Sequence, residues 1–162
     1  MSEFRTGIGW DSHRTAPDRP LILGGVRIES DLGLSGHSDA DVLAHAITDA
    51  MLGAAAQGDI GMHFSDTDPQ WKDADSLNFL HHALQIVRLA GFDVVNVDST
   101  VVIEKPKMSP HRSAIRERLA GVLGLPVDRV SVKFKTAEGL GPVGERRSVE
   151  AQAAVTVVAR RV

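Results

Sequence analysis

The chain predicts an α+β fold: a single domain spanning 1–162, in which a mixed β-sheet carries its helices on one face. Three observations lead there. The first thirty residues read as strands and a hairpin, three later segments carry helical spacing, and strands alternate with those helices in two β-α-β passages. At 162 residues the chain has the scale of one hydrophobic core. A sheet with helices on one face leaves the other to find cover, which favours self-association.

Taken in order, Phe4–Trp10 forms the first strand, and "GIGWDSHR" (7–14) reads as its end. "LILGGVRI" (21–28) resembles a hairpin turning at Gly24-Gly25, since paired glycines suit a two-residue turn. From Ser38 the pattern changes. Val42, Leu43, Ala46, Ile47, Ala50, Met51 and Ala54 recur at three- and four-residue spacing, with Ser38 as N-cap and Asp41 closing a capping-box-like pair. "GDIGMHFSDTDP" (58–69) has the Gly, Asp and Pro content of a loop and is long enough to bind a ligand. A second helix runs from Asp75 to Ala90, with Leu77, Leu80, Leu84, Val87 and Leu89 on its apolar side and Gly91 ending it. Phe92–Glu104 is a long strand, Pro110–Leu123 a third helix with proline in its first turn, Arg129–Lys135 a strand and Ser148–Arg160 the last strand. There is no internal repeat and no flexible linker.

Composition narrows the function classes. A formal net charge of −3 provides no broad basic footprint, so nucleic acid is disfavoured as a partner and any anionic ligand must be held locally. The absence of cysteine rules out thiolate metal sites and leaves His, Asp and Glu as candidate ligands. Neither a signal peptide nor an apolar run of membrane-spanning length is visible. The expected location is therefore the cytoplasm, or a plastid after removal of a transit peptide, with no membrane partner.

Candidate chemistry begins with Asp11 and His13. Residues i and i+2 of an extended chain share a face, so both side chains can approach one point. In the first helix His45 lies four residues after Asp41 and four before Asp49, which puts all three on one helical face. Two imidazoles and a carboxylate, His13, His45 and Asp11, make the ligand set of a catalytic zinc, with a fourth position left for water or substrate. Asp41 or Asp49 is then placed to orient His45. His37 and Ser38, at the start of that helix, lie where free N–H groups and the positive dipole end favour an anion.

The run from Gly36 to Pro69, "GHSDADVLAHAITDAMLGAAAQGDIGMHFSDTDP", preceded by "GIGWDSHR", resembles the 2-C-methyl-D-erythritol 2,4-cyclodiphosphate synthase family. The resemblance continues through "KPKM" (105–108), "KTAEGLG" (135–141) and "EAQAAVTVV" (150–158), and so covers essentially the whole chain. It implies a homotrimer with an active site between each pair of subunits, a zinc ion on Asp11, His13 and His45, and magnesium or manganese held with the substrate diphosphate, where Glu138 contributes. The implied reaction converts 4-diphosphocytidyl-2-C-methyl-D-erythritol 2-phosphate to the 2,4-cyclodiphosphate and CMP, a phosphorus–oxygen lyase step in the non-mevalonate isoprenoid precursor pathway. By the same resemblance His37 and Thr136 are catalytic, and Ser38 meets the phosphate and erythritol part. Asp59, Ile60, Gly61, Phe64, Asp66 and Asp68 line the erythritol and ribose pocket. Lys107 and Met108, in the segment whose backbone recognises cytosine from the adjacent subunit, and Lys135 complete the substrate contacts. His81, His82 and His111 read as surface histidines.

One departure stands out. Where many members of that family carry "GF-x-GRGEG", this chain has "GPVGERRSV" (141–149), with Pro142 for the aromatic residue and Glu145 for the first arginine. Arg146 and Arg147 are the residues that could restore the cation, and without one an isoprenoid diphosphate on the trimer axis should bind weakly. Two rival readings accompany the synthase: a zinc phosphohydrolase that activates water, and a non-catalytic trimer binding CMP or diphosphate around a structural zinc. A structural zinc usually has four protein ligands, and only three are in register here.

Overall fold

In the first strand, residues 7, 9, 11 and 13 share one face, and two of them are glycines. That choice shapes the molecule. The structure, a computed structural model, describes residues 3–65, 71 and 74–160. Strand β1 (Phe4–Ala16) pairs antiparallel along most of its length with β7 (Ser148–Ala159), and helix α1 (Val42–Ala54) lies across the inner face of both. A Cβ built on Gly9 would stand 2.0 Å from the carbonyl oxygen of Ala46, and one on Gly7 would stand 2.2 Å from that of Ala50. Backbone therefore packs on backbone, which only glycine permits.

The five-stranded sheet has the order β4-β1-β7-β5-β6, where β4 is Gly33–Ser35, β5 Phe92–Val102 and β6 Val130–Lys135. Only β5 and β6 run parallel, joined through helix α4 (Arg112–Leu123), so the sheet is mixed as the alternation of elements implied. Strands β2 (Leu21–Leu23) and β3 (Val26–Ile28) form the separate hairpin expected at Gly24-Gly25, whose φ values of 57° and 72° lie in the region glycine adopts without penalty. Helix α3 (Ser76–Leu89) packs beside α1 and against β5. The core lies between this helical layer and the inner sheet face, with Leu43, Ile47, Ala50 and Met51 of α1 and Val149, Ala151, Ala153, Val155 and Val157 of β7 all buried.

Several elements differ from the sequence reading. Strand β1 runs on through Asp11 and His13 to Ala16, because "DSHR" keeps pairing with β7: Asp11 opposes Ala151 and His13 opposes Val149. Helix α1 starts at Val42 with Asp41, not Ser38, as its N-cap; the Asp41 carboxylate accepts from Ala44 N–H at 3.0 Å, whereas Ala40, at φ 58°, breaks any helical path from Ser38. Leu89 is 88% exposed at the last turn of α3. The third helix opens as a 3-10 turn over Ser109–His111 before becoming α-helical at Arg112, with Pro110 in that first turn. Two short helices, α2 (Ile60–His63) and α5 (Gly141–Gly144), and strand β4 carry too few residues for periodicity to mark them.

Among the described residues, the outer sheet face leaves large apolar side chains in solvent. Phe4 is 61%, Ile8 82% and Trp10 56% exposed, aligned on the side of β1 opposite the glycines. No helix of the described residues is long and apolar enough to cross a membrane.

The glycine contact is directly testable. Gly9→Ala forces a methyl group into the Ala46 carbonyl, so α1 must lift off β1, and stability should fall by about 1–3 kcal/mol. Thermal unfolding of the variant beside wild type measures this.

Candidate metal centre and active-site clefts

On β1 the inner-face row Gly7, Gly9, Asp11, His13 passes beneath α1, and the bare glycines bring the helix low enough for His45 to reach the two polar residues beyond them. Three ligand atoms converge. His13 Nε2 and His45 Nδ1 each lie 3.0 Å from Asp11 Oδ2, and the two ring nitrogens are 3.1 Å apart. A cation with tetrahedral ligands at ~2.0–2.1 Å spaces them roughly 3.3 Å apart, so these three atoms form one face of such a site with little adjustment. Among the described residues this is the one His/Cys/Asp/Glu cluster with that convergence. The donor set of two imidazoles and a carboxylate fits zinc, which would be held by Asp11, His13 and His45.

Electrostatics agree with that use. Burial alone would raise the Asp11 carboxyl, but hydrogen bonds and charge interactions from His13 and His45 outweigh it and hold the group well below the usual carboxylate range. Asp41 behaves oppositely. Burial pushes its carboxyl up to about 6, against the pull of hydrogen bonds from Ala44, Gly25 and Gly24. Its oxygens accept from Gly24 N–H at 3.0 Å and Gly25 N–H at 2.7 Å, clamping the β2–β3 hairpin to the start of α1. Asp41 therefore does not orient His45. Nor does Asp49, whose Oδ1 accepts from Ile60 N–H at 2.7 Å and fixes the start of α2; its carboxyl is raised, chiefly by burial.

The triad opens onto a cleft of about 410 Å3 lined by His13, His37, Ser38, His45, Ile60, Gly61, Phe64, Ser65, Trp71 and Phe79. His37 is exposed at its rim, while the Ser38 side chain is buried and its hydroxyl accepts from Ala40 N–H and lies 3.2 Å from His45 Nε2. The same hydroxyl lies 3.2 Å from Ser76 Oγ, and the Ser38 carbonyl accepts from Arg19. Asp59 caps α2 through Met62 N–H, placing Ile60 and Gly61 in the cleft wall. Phe64 stacks on Phe79 with ring centroids 4.9 Å apart, and Trp71 meets both edge-on. Asp66 and Asp68 lie outside the described residues. His81 and His82 are exposed, as expected of surface histidines.

Lys107, Met108, Lys135 and Thr136 stand elsewhere. They line a second cleft of about 530 Å3, between the ends of β5 and β6 and the start of α4, which shares no residue with the first. Met108 is buried at the edge of this cleft. Glu138, at φ 53°, is not part of the triad; its Oε1 accepts from Thr136 Oγ at 2.9 Å, and Ala137 N–H donates to Glu104 Oε2 at 3.1 Å. Both arginines of the departing segment are already paired, Arg146 with Asp31 at 2.5 Å and Arg147 with Glu145 at 2.6 Å.

Some participants escaped the sequence reading. Ser76, Asp39, Trp71 and Phe79 surround His45 or its cleft. Ser76 comes 31 residues after its histidine partner and carries no spacing signal, since "ADS" reads as an ordinary helix start.

On this mixed-sheet α+β chain the three convergent ligand atoms, two of them from residues lining an open cleft, make a candidate metal centre. The chain belongs to the YgbB family, whose model matches residues 4–158. It is 65% identical over 157 residues, 97% of this chain and 99% of the relative, to the 2-C-methyl-D-erythritol 2,4-cyclodiphosphate synthase of Solibacter usitatus (strain Ellin6076). Among solved structures, a 2C-methyl-D-erythritol-2,4-cyclodiphosphate synthase in its CDP-bound form superimposes with a TM-score of 0.88 at 41% identity, covering 94% of this chain and 99% of that one. The bifunctional IspDF from Campylobacter jejuni matches with a TM-score of 0.94 at 40% identity over 98% of this chain, which spans 43% of that longer protein.

The ligand assignment predicts about one zinc per chain in the purified protein. Asp11→Ala or His45→Ala should remove most of it, because two remaining ligands hold the ion poorly. Elemental analysis is the check, and full occupancy in both variants would overturn the assignment.

Proposed function

We propose that this chain converts 4-diphosphocytidyl-2-C-methyl-D-erythritol 2-phosphate to 2-C-methyl-D-erythritol 2,4-cyclodiphosphate and CMP, acting in the cytoplasm as a phosphorus–oxygen lyase. The observation that carries this reading is the three-ligand site itself: Asp11, His13 and His45 leave the cleft side open, where His37 waits at the rim. Family membership supplies the substrate.

In this reaction the 2-phosphate attacks the β-phosphorus of the diphosphate and CMP leaves. The nucleophile is already ionised at neutral pH, so no general base is required. A flexible polyanion must instead be folded back on itself and its growing charge stabilised. Zinc, which Asp11, His13 and His45 would hold, and a magnesium or manganese ion carried with the diphosphate would supply charge neutralisation and polarise phosphoryl oxygens. The protein supplies position. His37 and Ser38 hold the phosphate and erythritol end, Asp59, Ile60, Gly61 and Phe64 wall the pocket, and Thr136 stabilises the transferring group, while Glu138 would help to hold the diphosphate's metal. The backbone at Lys107 and Met108 offers N–H and C=O groups for the cytosine edge, as expected of a base read by hydrogen bonds.

Because the two groups of residues occupy separate clefts, one chain alone makes no complete site. We infer a homotrimer in which the metal cleft of one subunit faces the cytosine cleft of the next, with the bare outer sheet face bearing Phe4, Ile8 and Trp10 buried by assembly.

Phosphorus NMR of the protein with the diphosphocytidyl substrate, zinc and magnesium should show the cyclic diphosphate and CMP in equal amounts; release of inorganic phosphate would indicate a hydrolase, and no turnover a binding module. His37→Ala should keep its zinc and lose about 100-fold in cyclisation rate, since it positions substrate. Subunit mixing tests the shared site. His45→Ala and Thr136→Ala trimers, each impaired alone, should regain up to about a quarter of wild-type activity after subunit exchange, the fraction of interfaces that pair two intact halves in an equal mixture. No recovery after demonstrated exchange would refute it.

A further inference from the structure

The ring nitrogen of His45 that turns away from Asp11 enters a buried polar pocket. His45 Nε2 lies 2.8 Å from Ser76 Oγ, and Ser76 is wholly buried at the first residue of α3. The same hydroxyl makes a short hydrogen bond to Asp39 Oδ1. Asp39 also accepts from Ser76 N–H at 3.1 Å on Oδ2 and from Asp41 N–H at 3.2 Å on Oδ1.

The direction of the proton follows from counting donors. Backbone N–H groups only donate, and one reaches each oxygen of Asp39, so that carboxylate is an acceptor on both sides. A serine hydroxyl has a single proton, and Ser76 gives it to Asp39. Toward His45 the Ser76 oxygen can then only accept, so the 2.8 Å contact requires a proton on Nε2, and the Ser38 hydroxyl, 3.2 Å from both Nε2 and Ser76 Oγ, finds its acceptor in Ser76 Oγ. The neutral imidazole therefore keeps its proton on Nε2 and turns the Nδ1 lone pair between Asp11 Oδ2 and His13 Nε2, 3.0 and 3.1 Å away; the Nδ1–H bond to Asp11 belongs to the charged ring, and a cation would take that proton's place.

We propose that the Asp39–Ser76 pair is a positioning device for the metal centre: it fixes the tautomer and ring plane of His45 so that Nδ1 stands ready as a ligand. The proposal rests on the reading of Asp11, His13 and His45 as cation ligands. It assigns to Ser76 the part that a carboxylate or carbonyl usually plays behind a metal-bound histidine, with Asp39 setting the polarity of the hydroxyl. The pair also ties the segment leading into α1 to the start of α3, so the two helices that flank the cleft hold one ring between them.

Zinc affinity and the ring tautomer test this separately. Zinc alone is titrated into full-length metal-free protein against a chromophoric chelator, with circular dichroism as the control for folding. Ser76→Ala should bind zinc about 10–100-fold more weakly than wild type, the usual cost of removing the group behind a ligating histidine. Unchanged affinity in a folded Ser76→Ala protein would overturn the proposal. Nitrogen-15 NMR of metal-free wild type at alkaline pH provides a reading independent of any variant: the His45 proton should be on Nε2, and a proton on Nδ1 would overturn the proposal even if the variant failed to fold. Failure of wild type to bind zinc at all would strike instead at the ligand assignment, and the tautomer would still be decided.

Discussion

Everything at the metal centre depends on how closely α1 approaches β1. At Gly7 and Gly9 there is no room for even a methyl group: the missing Cβ atoms would stand 2.0–2.3 Å from backbone atoms of Ala46, Ala50 and Ala54. The absence of side chains lowers the helix onto the strand, and the next two inward positions, Asp11 and His13, then lie within reach of His45. With ordinary side chains at those glycines, helix and sheet would be separated by a layer of apolar packing. The three ligand atoms could not then lie within 3.0–3.1 Å of one another.

That contact determines the distance; buried polar groups determine the angle. Asp41 fastens the helix start to the Gly24-Gly25 turn by accepting three backbone N–H groups, and Asp39 fastens the preceding segment to α3. Burying a carboxylate is costly unless its lone pairs are met, and these carboxylates are met largely by backbone donors that cannot rotate away. The result is a first turn of α1 that is pinned on two sides. His45, one turn further along, inherits that rigidity, and a ligand held in place before the cation arrives loses little freedom on binding.

The residues proposed for catalysis and substrate binding divide between two clefts of one chain. The metal cleft and the cleft at Lys107, Met108 and Thr136 share no residue, and the outer sheet face exposes Phe4, Ile8 and Trp10. The proposed homotrimer would answer both facts together. The segment after Glu138 fits a local variation on this plan, since Arg146 and Arg147 are occupied by Asp31 and Glu145 rather than presented as free cations. An anion near that segment would have to compete with existing carboxylate partners.

Where a pattern is local, the chain's own spacing was enough to read it. The two-residue period that places Asp11 and His13 on one face, the three-to-four spacing that makes α1 a helix carrying His45, and the paired glycines of the β2–β3 hairpin are all decided within a few residues by backbone geometry. Tertiary structure alone decided what those elements meet. Asp41 reads as a neighbour of His45 but turns to the hairpin, Ser38 reads as a cap but lies buried against His45, and Leu89 reads as core but stands in solvent. Ser76 approaches its histidine from 31 residues away, and Thr136, which donates to Glu138, lines a cleft apart from the three candidate cation ligands. Periodicity specifies which face of an element is apolar or polar, whereas the partner across that face is set by how whole elements pack, a property of the three-dimensional arrangement that no short stretch of chain contains.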